Sequence, residues 1–316
     1  RDMQGEMQGE MQTRRDFMLA GAALAAGSSL GRIASAESKK SFRLSYIVGA
    51  CMYGTKPLAE ILPEVRKCGA ESVEFWARPH GNQREQVDEL GVDVVRDLLR
   101  KNKVRMGSMT CFKYGVFGMQ PEMKLLKKLG GDMVICNSVG PRNLEGEPLK
   151  KAVKALAEKL KPHVAAAEEI GVMIGIENHS GTIINSPESQ LMLMDLLPSK
   201  HIGMALAGYH MPQDPELIGK HIVRLGERLV HFQAWEHGMG CSKKLPKAQE
   251  LMQMPGRGPL DFRPIVSGLK RIQYRGRVEI FMHPVPRGVP ILETTAKVTA
   301  EINRARAYLD RCAASA

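Results

Sequence analysis

The stretch that decides the fold is Val172–His179, which reads VMIGIENH. Its apolar first part is typical of a strand that is buried on both faces, as the strands of parallel sheets are. The run ends in a carboxylate, an amide and an imidazole. Because α/β barrels carry their chemistry at the carboxyl ends of their strands, this pattern predicts a functional mouth at that end.

Three later apolar runs also end in a histidine. They are Ile202–His210, Leu229–His237 and Val278–His283. If all of these runs are parallel strands of one barrel, right-handed crossovers bring their polar ends to the same mouth. The repetition is the strongest functional signal in the sequence.

Strand-like and helix-like patterns alternate from Phe42 onward, with no long linker and no change of composition. Eight strands and eight helices in strict alternation predict one single (β/α)8 TIM barrel over residues 37–316. The predicted strands are Arg43–Gly49, Ser72–Trp76, Val104–Met109, Met133–Cys136, Val172–Glu177, Ile202–Leu206, Leu229–Trp235 and Arg277–Met282. The predicted helices are Pro57–Lys67, Gln86–Lys101, Pro121–Leu129, Leu149–Glu169, Pro187–Leu196, Pro215–Leu225, Phe262–Arg271 and Leu292–Arg311.

Residues 1–36 have the features of upstream sequence followed by an export signal. Arg14 and Arg15 precede an Ala/Gly-rich apolar stretch, and Ala34–Ala36 matches an A-x-A cleavage site. Twin arginines in this position are typical of a Tat-type signal peptide. The apolar stretch is too short for a stable membrane span. We therefore predict export through the Tat pathway, to the periplasm or otherwise out of the cytoplasm, with no stable membrane span after cleavage.

The composition is that of a globular protein with a basic surface. The chain has 316 residues, 43% hydrophobic content, six cysteines and a formal net charge of +11. The charge favours anionic surroundings or substrates, although a generally basic proteome explains it equally well. The cysteines form no C-x-x-C pair, so we predict buried small hydrophobic residues. In an oxidising compartment one or two pairs could form disulfides, and the spacing does not assign them. No phosphate loop, G-x-S-x-G or aromatic-interleaved basic strip occurs, so no nucleic-acid partner is predicted.

The candidate catalytic residues are those that end the apolar runs. Glu177 ends strand five, where a carboxylate can act as a base or bind a divalent cation. One carboxylate with several imidazoles on neighbouring strand ends has the composition of a mixed oxygen and nitrogen metal site. The predicted catalytic residues are Glu177, His210 and His283. The predicted metal ligands are Glu177, His210, Gln233 and His283.

Aromatic, polar and basic side chains near the predicted mouth are candidates for substrate contact. Each tryptophan is equally well explained as a packing anchor under a loop. The longest connection, residues 236–261, is rich in Gly, Pro and basic residues, which favours a lid over a solvated excursion. The predicted substrate contacts are Trp76, His80, His179, Gln233, Trp235, His237 and Arg257.

With its I-E-N-H at Ile176–His179 and its strand order, the chain resembles the xylose-isomerase-like TIM barrels. That superfamily includes sugar-phosphate isomerases/epimerases, ketose 3-epimerases and endonuclease IV. In the epimerases, the resemblance implies one metal held by a Glu after strand five, an Asp after strand six, a His on strand seven and a Glu on strand eight. Glu177 matches the first ligand, and His210 matches a substrate-binding His of the family. By register, the other ligand positions fall on Ala207, Gln233 and Phe281.

We therefore predict an exported enzyme that acts on a sugar, sugar acid or keto-sugar. Proton abstraction next to a carbonyl would give isomerisation or epimerisation, with β-elimination also open, assisted by Zn, Mn, Mg or Co in a rebuilt ligand set. The partner would be a small carbohydrate, and homo-oligomer formation stays open. Two alternatives remain. One is a non-catalytic periplasmic carbohydrate-binding barrel, and the other is a metal-dependent phosphodiesterase akin to endonuclease IV.

Overall fold

The structure, a computed structural model, describes residues 42–316. Eight parallel strands pair in sequence order, and β8 pairs with β1, so the sheet closes into a barrel. The prediction of a single (β/α)8 barrel is confirmed. The strands are β1 Ser45–Gly49, β2 Ser72–Trp76, β3 Arg105–Thr110, β4 Met133–Asn137, β5 Met173–Glu177, β6 Ile202–Ala207, β7 Leu229–Ala234 and β8 Arg277–Ile280. The predicted signal peptide, and the predicted domain start at residue 37, lie outside the described residues.

Ten α-helices surround the described barrel, so the prediction of eight was wrong by two. The predicted helix Gln86–Lys101 is divided at Gly91, whose φ of 85° is a left-handed conformation that favours glycine. A short extra helix lies inside the long connection after β7. The helices are α1 Leu58–Lys67, α2 Gln83–Leu90, α3 Val92–Lys101, α4 Gln120–Lys128, α5 Gly146–Ile170, α6 Pro187–Leu196, α7 Pro215–Leu225, α8 Lys247–Glu250, α9 Phe262–Arg271 and α10 Thr295–Ser315.

The helices cover the outer face of the barrel with apolar stripes. In α9, a helix that Asp261 caps through its side chain, Phe262, Ile265 and Leu269 are buried at helical spacing. None of the helices from residue 42 onward is long and apolar enough to cross a membrane. All six cysteines are free thiols. Five of them are buried, as predicted, whereas Cys241 is only half-buried.

The barrel interior is apolar away from the mouth and polar towards it. The apolar part holds a small cluster of Met133, Ile135 and Ala205. Gly175 lies against this cluster, because an added Cβ would be 3.2 Å from Ile135 Cγ1. Glu177 follows two residues later on the same face of β5, by the two-residue period of a strand. The charged groups are thus placed towards the carboxyl ends of the strands, at the mouth.

Candidate active site

Glu177 is the central carboxyl group of the mouth. It is only 2% exposed, and its Oε2 has no hydrogen-bond partner within the described chain. Its Oε1 lies 3.9 Å from Nε2 of His210. Burial raises the pKa of Glu177 well above its usual range, and the neighbouring carboxyl groups of Glu279 and Glu74 raise it further. Because its pKa is raised, Glu177 binds a proton more readily than an exposed glutamate does.

Asn178 fixes the relation between β5 and the end of β6. Its Nδ2 donates to the carbonyl of Ala207 at 3.2 Å, and its Oδ1 accepts from the N–H of Ala207 at 2.7 Å. The 3₁₀ turn Gly208–His210 begins directly after Ala207. Because the amide bonds both polar groups of one residue, it positions the start of the turn that carries His210.

The mouth holds imidazoles that are uncharged at neutral pH. The rings of His179 and His210 are 4.0 Å apart, and those of His80 and His283 are 4.6 Å apart. Burial lowers the pKa of His210 to about 3 and that of His80 to about 4, and it lowers the pKa of His283 well below the ordinary value. Neutral imidazoles offer one donor and one acceptor each, which suits the hydroxyl groups of a sugar.

The tautomer of His179 follows from its surroundings. Its Nδ1 accepts the backbone N–H of Gly181 at 3.2 Å. A neutral imidazole that accepts at Nδ1 carries its proton on Nε2. His179 therefore has an N–H donor, and its ring packs beside His210 at the mouth.

Two pairs of stacked aromatic rings line the mouth. Trp76 stacks on Phe281 with ring centroids 5.0 Å apart, and Tyr209 stacks on Trp235 at 4.1 Å. Trp235 meets Phe281 edge-on at 5.1 Å. Both tryptophans are 1% exposed. This burial favours the packing role that the sequence left open for each of them over an open platform for a sugar ring.

A second group of charged side chains lies deeper, where β2, β7 and β8 face the interior. Nε2 of His231 is 3.3 Å from Oε2 of Glu279 and 3.7 Å from Oε2 of Glu74. All three residues are 0% exposed. We call Glu74, His231 and Glu279 the deep triad. Within residues 42–316 it is the one group of three or more His, Cys, Asp or Glu residues whose ligand atoms all lie within 4.8 Å of one another.

The predicted metal ligands are only partly brought together. Glu177 and His210 are neighbours, and Nε2 of Gln233 donates to Oε2 of Glu279 at 3.2 Å. In the described chain, however, the potential ligand atoms that lie close together are those of the deep triad, which does not include His283. None of the three triad residues is among the predicted metal ligands. The available signal was a carboxylate inside a strand that is buried on both faces, as Glu74 is in SVEFW.

Two predicted substrate contacts lie away from the centre of the mouth. Arg257 donates to both carboxylate oxygens of Glu301 on α10, at 2.8 and 2.7 Å, which ties it to an outer helix. His237 packs against Tyr209 with ring centroids 4.7 Å apart. Arg257 is thus paired with Glu301 and not with the mouth, and His237 lies beside Tyr209 at the edge of the mouth.

The long connection 236–261 is packed down onto the mouth. Gln253 bonds the backbone of His283 in both directions, donating to its carbonyl at 2.9 Å and accepting from its N–H at 3.1 Å. Oε2 of Glu236 accepts the N–H of Leu260 at 2.8 Å. Because of these bonds, segment 236–261 is not a loop that extends freely into solvent. Contact between this segment and a substrate stays a prediction.

Replacing Glu236 by glutamine should make folding less sensitive to pH. Burial raises the pKa of Glu236 to about 7, so the stability linked to its neutral form is fully present below its unfolded-state pKa and is lost as the pH rises through 7. Between pH 5 and pH 8 the free energy of unfolding should fall by about 1–3 kcal/mol more in the wild type than in Glu236→Gln. Urea unfolding at both pH values measures this.

Glu89→Gln is the matched control, because Glu89 is exposed. Its pH dependence should follow the wild type within about 0.5 kcal/mol. Identical pH dependence in Glu236→Gln and the wild type would contradict the role assigned to Glu236.

A separate cavity of about 530 Å³ lies at the opposite end of the barrel. Met133, Met173, Tyr274 and Arg277 are among its lining residues, and Arg277 pairs there with Asp132 at 2.6 Å. Arg277 begins β8, whereas the catalytic candidates follow the ends of the strands. This cavity is therefore distant from the candidate chemistry.

Comparison with known proteins gives one family match and one partly matched relative. Residues 62–302 match the family described as xylose isomerase-like TIM barrel. A D-psicose 3-epimerase of Enterocloster bolteae is 29% identical over 129 residues, which is 40% of this chain and 37% of that protein. The match thus spans little more than a third of that curated relative.

Solved structures share the fold over most of the chain. The D-psicose 3-epimerase from Clostridium cellulolyticum H10, solved with D-tagatose, superposes with a TM-score of 0.64 at 16% identity, covering 85% of this chain and 99% of that chain. The 3-keto-D-glucoside 4-epimerase from E. coli has a TM-score of 0.64 at 14% identity, covering 84% and 100% of the respective chains. At these identities the likeness is one of fold.

Proposed function

Because the chain belongs to the xylose isomerase-like TIM barrel family, we propose that it is a sugar epimerase or isomerase that moves a proton on the carbon next to a carbonyl. The observation that carries this proposal is Glu177, a buried carboxyl with one oxygen free of protein partners, beside the uncharged imidazole of His210. The epimerase relatives support the same class of reaction.

Glu177 is the base in this proposal. Its carboxylate takes the proton from the carbon next to the carbonyl, and the electrons of the broken C–H bond move to the carbonyl oxygen. The burial that raises its pKa makes the ionised form a stronger base. The enediolate then needs hydrogen-bond donors in a site with little water, and the Nε2–H of His179 is one such group.

A second group must return a proton. Delivery to the opposite face of the same carbon gives an epimer, and delivery to the neighbouring carbon gives an isomer. By register, Phe281 takes the place of the family's second glutamate, so His210 and His283 are the candidates near the mouth. Because their imidazoles are neutral, either one donates its N–H proton to carbon while its other nitrogen takes up a proton from water or a substrate hydroxyl. Imidazole is the side chain most often used for such transfers.

The mouth does not fit the metal that the family resemblance implies. Two of the four ligand positions carry Ala207 and Phe281, which have no ligand atom, and the Phe281 ring is packed against Trp76. Gln233 replaces the histidine ligand and bonds Glu279 instead. We therefore derive no step through a metal at the mouth. In the described chain, the group able to hold a divalent cation is the deep triad.

The mouth also supports a sugar acid as the substrate. Arg287 donates to the carbonyl of Pro284 at 2.7 Å and to Sγ of Cys241 at 3.3 Å, and no carboxylate of the described chain lies within 4.0 Å of it. Its charge contributes to the low pKa values of His80 and His283, which indicates a position close to the mouth. A guanidinium without a carboxylate partner can bind an anionic substituent.

We also propose that the protein acts outside the cytoplasm. This rests on the twin arginines and the A-x-A site within residues 1–36, which lie outside the described residues. Fractionation of the native host into cytoplasm and periplasm, compared with an Arg14→Lys, Arg15→Lys variant, tests it. Retention of the wild type in the cytoplasm would contradict this proposal.

The proposed reaction is tested with a panel of substrates. The purified protein is incubated with ketohexoses, ketopentoses and keto-sugar acids, with and without added Mn²⁺ or Zn²⁺, and the products are separated by chromatography. We expect an epimer or isomer of at least one substrate. Binding of a sugar by calorimetry without any product would favour the non-catalytic carbohydrate-binding barrel instead.

A further inference from the structure

We propose that the deep triad is a closed site for one divalent cation, held inside the barrel below the mouth and out of reach of the substrate. Its ligands are Oε2 of Glu74, Nε2 of His231 and a carboxylate oxygen of Glu279. The site goes beyond the proposed reaction and does not depend on which sugar the mouth accepts.

The spacing of the triad suits a shared ion. Two ligand atoms that are each about 2.1 Å from one cation lie about 3.0–3.5 Å apart in tetrahedral or octahedral geometry. The two separations from His231 Nε2 are 3.3 Å to Glu279 and 3.7 Å to Glu74, close to that range. Carboxylate with imidazole is the ligand set of Zn²⁺ and Mn²⁺ sites.

Strand pairing explains why residues from opposite ends of the chain meet. In β1, Ile47 pairs with Glu279 of β8 and Gly49 pairs with Glu74 of β2. A Cβ added to Gly49 would lie 2.1 Å from Oε1 of Glu279. The φ of Gly49 is −70°, which any residue can adopt, so glycine is needed here for space. The missing side chain gives the Glu279 carboxylate room inside the barrel.

The triad carries binding capacity that the protein does not use. Oε1 of Glu279 is buried and has no hydrogen-bond partner in the described chain. An unpaired buried carboxylate oxygen is costly, so it indicates an additional bound group. Ser108 donates to Oε2 of Glu74 at 2.6 Å and Thr110 donates to Oε1, and these bonds orient the carboxylate as outer partners of a metal ligand do.

The charges of the triad need a counterion. Within residues 42–316, no lysine or arginine nitrogen lies within 4.0 Å of the carboxylates of Glu74 and Glu279. Two adjacent buried carboxylates can be neutralised by protons or by a cation. A divalent cation compensates both at once and releases their protons when it binds.

The triad is closed to solvent, and Gln233 links it to the mouth by donating to Oε2 of Glu279 at 3.2 Å. Glu279 precedes Phe281 by two residues on β8, and the Phe281 ring stacks on Trp76 at 5.0 Å. The triad is 0% exposed. A cation there stabilises the folded barrel from within and does not contact the substrate.

The test is the metal content of the full chain, measured by elemental analysis after purification without chelators from medium containing Zn²⁺ and Mn²⁺. The variants are Glu279→Gln and His231→Gln, and Glu177→Gln is the matched control because it makes the same change in a carboxyl group at the mouth. We expect about one equivalent in the wild type and in Glu177→Gln, and none in the two triad variants. Stripping the wild type should lower its Tm by about 5–10 °C, and ZnCl₂ or MnCl₂ should restore it.

Each other outcome overturns the inference. Metal that is lost in Glu177→Gln and kept in Glu279→Gln would place the ion at the mouth. A wild type without metal, whose Tm does not respond to ZnCl₂ or MnCl₂, would make the triad a proton-filled hydrogen-bond network. If a triad variant does not fold, Gly49→Ala tests the same carboxylate by displacing it, and normal metal content in that variant would count against the site.

Discussion

Replacement of Glu177 by glutamine is expected to lower kcat for the sugar substrate by about 10²–10⁴-fold, the usual contribution of a general base. The amide has nearly the same shape as the carboxyl group but cannot accept the proton from carbon. Because Oε2 of Glu177 has no hydrogen-bond partner in the described chain, replacing that oxygen by an amide group breaks no hydrogen bond of Oε2. KM should change far less than kcat, since the lost interaction belongs to the transition state.

Steady-state kinetics with the substrate found in the panel measure this effect, with circular dichroism as the check on folding. Glu89→Gln, which makes the same substitution on the exposed surface, should keep the wild-type kcat. A Glu177→Gln enzyme with near wild-type turnover would remove Glu177 from the chemistry. Because this variant is also expected to keep its metal, failure of the proposed function and failure of the cation site remain distinguishable.

Replacement of Phe281 by alanine is expected to lower the free energy of unfolding by about 3–5 kcal/mol, the usual cost of deleting a buried aromatic ring. The ring is 1% exposed, stacks on Trp76 and meets Trp235 edge-on. Its removal leaves a cavity between these rings and opens a path from the mouth to the deep triad. The Phe281 side chain thus fills part of the barrel core and helps to cover the deep triad.

Urea unfolding of Phe281→Ala and of Phe117→Ala measures this cost on one scale. Phe117 is 38% exposed, so its truncation should cost less than about 1 kcal/mol. Equal and small losses in the two variants would show that the Phe281 ring contributes little packing. Chelators should also strip a bound cation faster from Phe281→Ala than from the wild type.

The barrel was predictable because its signals are local. An apolar run such as Met173–Glu177, with apolar residues on both faces, indicates a buried parallel strand from the local sequence alone. The polar residues that end such runs are brought together by the topology alone, so Glu177 and His210 could be predicted as neighbours. The division of one helix at Gly91 was missed, because the apolar period continues across it.

The deep triad was not predictable in the same way, because it depends on closure of the barrel. Glu74 and Glu279 are separated by most of the chain and meet only across β1, where Gly49 provides the space. The family resemblance places the β8 carboxylate at position 281, two residues beyond Glu279, where this chain has phenylalanine. The partner of Arg257 is equally non-local, since Glu301 lies on an outer helix and no local pattern indicates the pairing.

The central claim is proton transfer at the carbon next to a carbonyl, and solvent isotope incorporation tests it most directly. The protein is incubated with the ketose and keto-sugar panel in D₂O, and the recovered sugars are analysed by proton NMR. We predict that one substrate exchanges the hydrogen next to its carbonyl for deuterium, in step with formation of its epimer or isomer, and that Glu177→Gln abolishes this exchange. A sugar that binds tightly and keeps all of its carbon-bound hydrogens would contradict the account and leave a carbohydrate-binding barrel.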